Sequence, residues 1–138
     1  EHLDSNKNFK PFLKVLNVVC LALAKMIIRD AEGATKFIQI NVKQAKSFQE
    51  AKTVALSIAN SNLFKTAMYG QNLNFGRIVA SVGASGVEVR EEDLKINVSS
   101  LERREITVDV LLKRGNCSAR VYTSDLTPEY IKINAEYN

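Results

Sequence analysis

Between Phe12 and Val42 the apolar spacing changes from a helical repeat to a strand repeat, and this switch constrains the fold more than any other feature. Phe12, Leu16, Val19, Cys20, Leu23 and Ile27 recur at the spacing of one helix face. Ile38, Ile40 and Val42 alternate with Gln39 and Asn41, the pattern of a half-buried strand. A helix and a strand in succession, each with an apolar side to cover, point to a layered α/β architecture. The switch occurs within Arg29-Asp30-Ala31-Glu32-Gly33-Ala34-Thr35-Lys36-Phe37, where a carboxylate, a glycine, a hydroxyl and an ammonium fall within five residues. Polar groups concentrated in such a turn are suited to binding a ligand. The same residues can also be read as a plain helix stop, with Gly33 at positive φ and Lys36 near the helix C-terminus.

The rest of the chain extends the pattern. Ser47-Phe48-Gln49-Glu50 is a capping box, and Ala51, Val54, Ala55 and Ile58 give the helix behind it a small-residue face for a sheet. Asn60-Ser61-Asn62 ends that helix, and the short run Leu63 to Met68 reads as a strand or extended edge. After a loop from Gly70, Asn74 is placed to cap a helix from Phe75 to about Val82, with Gly83 as its exit. Ile106, Val108, Val110 and Leu112 alternate on a strand. Lys113 to Asn116 reads as a turn and Cys117 to Thr123 as a returning strand, which predicts a hairpin. Thr127-Pro128 starts a last helix. The expected class is α/β in α+β layers, a mixed sheet with an antiparallel hairpin flanked by helices, as one domain over residues 1–138.

Composition removes several functional classes. At 46% hydrophobic and 25% charged residues, disorder is excluded. The apolar run Val15 to Ile28 is broken by Asn17 and Lys25, too short and too polar for a membrane span, and Glu1 to Lys10 shows no signal peptide. Cys20 and Cys117 lack metal-type spacing and are expected as buried free thiols, in keeping with a reducing compartment. His2 is the only histidine, so no histidine triad or zinc site is built from this chain alone. The net charge of +4 is spread among acids, as in Glu102-Arg103-Arg104-Glu105, rather than gathered in a nucleic-acid-binding run.

Three separated motifs in a fixed order carry a family resemblance. They are Arg29 to Lys36; Lys65-Thr66-Ala67 with Gly70 and Asn74-Phe75-Gly76-Arg77-Ile78; and Asp125-Leu126-Thr127 with Ile133-Asn134-Ala135-Glu136-Tyr137. From Phe12 onward the chain resembles the later part of the β chain of the ornithine acetyltransferase (glutamate N-acetyltransferase) family. That resemblance implies an αββα-type N-terminal-nucleophile fold. It further implies acetyl transfer from N2-acetyl-L-ornithine to L-glutamate through an acetyl-threonine intermediate. An N-terminal threonine suits that step because its own α-amine can take the hydroxyl proton.

No catalytic residue is assigned within the chain: the family's nucleophilic threonine is expected upstream of Glu1, and the internal threonines lack a free α-amine. The resemblance assigns substrate binding to Glu32, whose carboxylate suits an ammonium, and to Asn134, whose amide can serve a carboxylate or an amine. Read without the resemblance, Glu32 is a solvated helix-end residue and Asn134 a turn or cap residue. The implied partners are an α chain of the same precursor, in an α2β2 assembly, with no nucleic acid and no membrane. No cofactor is implied, with acetyl-CoA as an alternative acetyl donor. The location would be cytoplasmic in a bacterium and the mitochondrial matrix in a fungus. The chain departs from the family at Phe75, where tryptophan is usual, and at Ser100-Leu101, where family members carry several more residues. A further Ser or Thr contact, five residues after Asn134 in the family, lies beyond Asn138. The competing readings are a related N-terminal-nucleophile aminopeptidase or amidase, with water as acceptor, and a non-catalytic anion-binding module.

Overall fold

The computed structural model describes residues 9–136, so His2, Tyr137 and Asn138 fall outside the described residues. The chain runs α1 (Phe9–Arg29), β1 (Phe37–Ala45), α2 (Phe48–Ala59), α3 (Asn62–Tyr69) and α4 (Phe75–Ala84). A 3-10 turn at Glu91–Asp93 leads to β2 (Lys95–Val98), β3 (Glu105–Leu111), β4 (Cys117–Ser124) and α5 (Pro128–Ala135). The four strands form one mixed sheet in the order β2-β3-β1-β4. β1 is parallel to β3 and antiparallel to β4, while β2 is antiparallel to β3.

The mixed sheet flanked by helices agrees with the sequence reading, but the antiparallel hairpin lies elsewhere. It is formed by β2 and β3, whereas the expected pair, β3 and β4, is separated by β1. The turn Lys113 to Asn116 instead carries the chain across the end of β1, two strand spacings or about 10 Å, which a few extended residues can span. A bulge in β1 receives it. Gln44 turns to φ 59°, and its carbonyl accepts from the Arg114 and Gly115 N–H groups at 2.7 and 3.0 Å. A Cβ on Gly115 would lie 2.5 Å from the Ala45 carbonyl oxygen, so the crossing is closed to larger residues. Alternation reports which face a strand buries, and is silent on which strand lies beside it.

One face of the sheet and the helices α2, α3 and α4 enclose the core. Ile38, Ile40 and Val42 of β1 and Ile106, Val108 and Val110 of β3 meet Val54 and Ile58 of α2, Phe64 and Met68 of α3, and Ile78 and Val82 of α4. Ser47 caps α2 by accepting from the Glu50 N–H at 3.1 Å. The stretch read as a strand or edge, Leu63 to Met68, is α3. Ser61 caps it, and Phe64, Ala67 and Met68, three and four residues apart, face the core. Two turns are too short for that period to stand out from a strand-like run. α4 continues through Gly83, and the backbone reaches positive φ only at Gly86.

The opposite face of the sheet is polar and partly exposed. Asn41, 7% exposed, donates to Asp109 at 3.0 Å and accepts from Gln39 and Arg120. Lys43 pairs with Asp109 at 2.8 Å. Burial pushes the Asp109 carboxyl up, but the Lys43 and Asn41 hydrogen bonds and the Lys43 and Arg120 charges outweigh it and hold its pKa below the usual value.

α1 is not buried at any residue. Cys20 on it is therefore exposed and Cys117 half-buried, against the expectation of two buried thiols. The helix meets the sheet only near its end. There the Lys25 ammonium lies over the Tyr122 ring, the Arg29 guanidinium over Phe37, and Arg29 pairs with Glu105 at 2.8 Å. Beginning at Phe9 and spanning 21 residues, α1 is long and apolar enough to cross a membrane by length and composition, so the sequence reading of it as too short and too polar is corrected. The helix extends six residues N-terminal to the apolar run because Phe9, Phe12 and Leu13 continue its apolar surface.

Candidate functional site

The polar turn between α1 and β1 is shaped by its backbone. Asp30 N–H still bonds the Met26 carbonyl, Ala34 N–H closes on Ala31, and Gly33 sits at φ 64°. A Cβ on Gly33 would lie 2.6 Å from the Tyr130 nitrogen. The glycine is thus needed twice, for its left-handed backbone and for the close approach of α5.

The segment after β4 grips this turn. The Asp125 carboxylate, 4% exposed, accepts from the Thr35 and Lys36 N–H groups at 2.9 and 3.0 Å through Oδ1 and from the Thr35 hydroxyl through Oδ2. Thr127 caps α5, as its sequence suggests, by accepting from the Tyr130 N–H at 3.1 Å. The same hydroxyl donates to the Gly33 carbonyl at 2.8 Å. On the other side the buried Lys36 ammonium donates to the carbonyls of Leu101, Glu102 and Arg103 at 2.8, 3.4 and 3.1 Å, fixing the β2–β3 connection. Lys36 is therefore an internal cross-brace and not merely a cation near the end of α1.

This packing places the two sequence-assigned residues side by side. Asn134 Nδ2 donates to Glu32 Oε2 at 3.1 Å and to the Tyr130 carbonyl at 2.9 Å, linking residues 102 positions apart. Glu32 also borders a cavity of about 330 Å3, with Asn62, Lys65, Ser124, Asp125 and Tyr130 among its other walls. Such a volume suits a small metabolite. No cluster of potential metal ligands occurs among the described residues. Asp125, Thr127, Lys36 and Lys65 were not assigned to a site from sequence. The available signal is that the first two lie in the third motif, Lys36 closes the first and Lys65 opens the second. Arg77 and Phe75 stay outside the cavity wall: Arg77 donates to the Leu63 carbonyl at 2.8 Å and braces α4 against α3.

Fold and corner together define the class, a layered α+β domain whose mixed sheet presents a carboxylate and an amide, drawn from its first turn and last helix, beside a small polar cavity. Within that class the chain belongs to the ArgJ family, whose model matches residues 1–138. It is 42% identical to the arginine biosynthesis bifunctional protein ArgJ of Geobacter sulfurreducens, over 97% of this chain and 39% of that protein. It is 41% identical to the protein of the same name from Methylococcus capsulatus, over 91% of this chain and 36% of that protein. The crystal structure of arginine biosynthesis bifunctional protein argJ from Bacillus halodurans superposes with a TM-score of 0.89 at 36% identity, covering 97% of this chain and 73% of that one. The chain thus spans about two fifths of the length of the first of these relatives. The Geobacter match runs over 155 positions against 138 residues here, so that relative carries residues this chain lacks.

Proposed function

We propose that this chain supplies amino-acid-binding residues to an acetyltransferase of arginine biosynthesis that moves acetyl from N2-acetyl-L-ornithine to L-glutamate. The observation that carries the reading is the Glu32–Asn134 pair at 3.1 Å beside the cavity. A carboxylate and an amide so placed can hold an ammonium and orient the acyl chain beside it. The nucleophile is an N-terminal threonine on a part of the enzyme outside this sequence, freed by self-cleavage of a precursor, and the acetyl group waits on it as an ester before passing to glutamate. Acetyl-CoA serves as an alternative donor where the enzyme has both activities.

The exposed apolar surface of α1 supports an assembly with the remainder of the enzyme, an α chain within an α2β2 tetramer. The Bacillus alignment leaves out only 3% of this chain, so it includes most of α1, and that chain is longer than the part matched. The membrane is the less favoured neighbour, because Lys25 and Arg29 are engaged with Tyr122, Phe37 and Glu105 of the domain.

Glu32→Gln in the complete, correctly cleaved enzyme tests the reading. Losing one charge-assisted hydrogen bond costs about 1.5–3 kcal/mol, roughly one to two decades in kcat/KM for N2-acetylornithine. Self-cleavage should continue, since the bound amino acid takes no part in it. A kcat/KM within twofold of wild type would return Glu32 to the role of a solvated helix-end residue.

A further inference from the structure

The cavity beside Glu32 has a second charged pole. Lys65, on the first turns of α3, lines it and is half-buried. Its backbone is fixed, because its carbonyl accepts from the Leu126 N–H at 3.3 Å and ties α3 to the segment that follows β4. Its ammonium has no hydrogen bond or ion pair among the described residues. The two carboxylates on the cavity wall differ in availability. Asp125 is saturated by Thr35 and Lys36, whereas Glu32, among the described residues, accepts only from Asn134.

An ammonium without a partner on a cavity wall is available to an anionic ligand, which it can hold by a charge-assisted hydrogen bond. With the Glu32 carboxylate, which has no cationic partner among the described residues, on another wall, the cavity complements a molecule bearing both an ammonium and a carboxylate. We propose that Lys65 is a specificity-determining residue that takes the α-carboxylate of the amino-acid substrate while Glu32 takes its side-chain ammonium. This rests on the acetyltransferase reading above and adds to it the group that recognises the acid end. It also accounts for why a lysine opens the second motif, at a position where helix formation alone would accept many residues.

The test uses the complete, cleaved enzyme with two donors, N2-acetyl-L-ornithine and N-acetylputrescine, which has the same amine and acyl chain without the carboxylate. Wild type should prefer the ornithine derivative. Lys65→Met should lower kcat/KM for N2-acetylornithine by about tenfold or more and leave N-acetylputrescine within about twofold, collapsing the preference. Lys65→Arg should keep most of it. Glu32→Gln, run in parallel, should lower both donors, since both carry the free amine. If Lys65→Met leaves the donor ratio at its wild-type value, the assignment of Lys65 is overturned, including the case where both rates fall together with a lower melting temperature. If Glu32→Gln has an effect in the same experiment, the substrate reading survives that outcome. If Glu32→Gln spares both donors, the substrate reading itself fails.

Discussion

Replacing Asp125 should separate the architecture of the corner from its chemistry. Asp125 accepts three hydrogen bonds, from two backbone N–H groups and one hydroxyl, and is 4% exposed. In Asp125→Ala both N–H groups lose a charged acceptor. At the low end of such bonds, ~1.5 kcal/mol each, that is about 3 kcal/mol, and the Thr35 hydroxyl adds ~1 kcal/mol. The loss of about 4 kcal/mol is a large part of the stability of a domain this size. Asp125→Asn keeps an oxygen where Oδ1 receives both N–H bonds and puts an amide where the Thr35 hydroxyl can turn to accept. Only the charge assistance disappears, roughly half the bond strength, or about 2 kcal/mol. Urea unfolding followed by far-UV circular dichroism measures both variants, with the slope held to its wild-type value. Amide exchange at Thr35 and Lys36 should lose protection in the alanine variant before other β1 amides do. If Asp125→Ala unfolds within about 1 kcal/mol of wild type, or if asparagine is worse than alanine, the clamp is not what holds the turn.

Gly33→Ala should cost about 1–2 kcal/mol for the left-handed backbone alone, and the 2.6 Å approach to the Tyr130 nitrogen should add displacement of α5, read as a lowered melting temperature. Asp109→Asn should be destabilised at pH 7 by about 1 kcal/mol, a modest value because Lys43 is half exposed. The folded pKa of Asp109 is depressed, so its contribution is full above the unfolded value of about 4 and fades as pH falls through the lower folded value. The gap in urea midpoint between variant and wild type should therefore close in strongly acid buffer, and a gap that persists there would refute the assignment.

The sequence carried those parts of the fold that have a local period. The buried faces of β1, β3 and α2 match the residues whose spacing announces them, and Ser47 and Thr127 cap where their side chains can reach back to the helix. The neighbour relations were not legible. Inserting β1 between β3 and β4 depends on the bulge at Gln44 and the tight passage of Gly115, and neither leaves a pattern in the residues on either side. Asn41 reads as a solvent-facing strand residue, yet it is buried because Asp109 and Arg120 from two other strands converge on it. At the corner, Glu32 and Asn134 are singled out by motif resemblance alone, and the structure juxtaposes them. The roles of Asp125 and Lys36 required tertiary structure, because each acts on backbone atoms far away in the chain.

The 102-residue separation of Glu32 and Asn134 also sets an order of events during synthesis. Glu32 leaves the ribosome 102 residues ahead of Asn134, so β1, α2 and β3 emerge before the last helix does. α5 buries none of its residues, so hydrophobic burial contributes little to its docking. It is captured by a turn that is already in place, through the Thr127 hydroxyl and the space left by Gly33. The corner therefore acts as a completion check: a polypeptide truncated before Asp125 can retain most of its core yet present Glu32 on an unbraced loop, and fragments released prematurely would fold without acquiring an organised site.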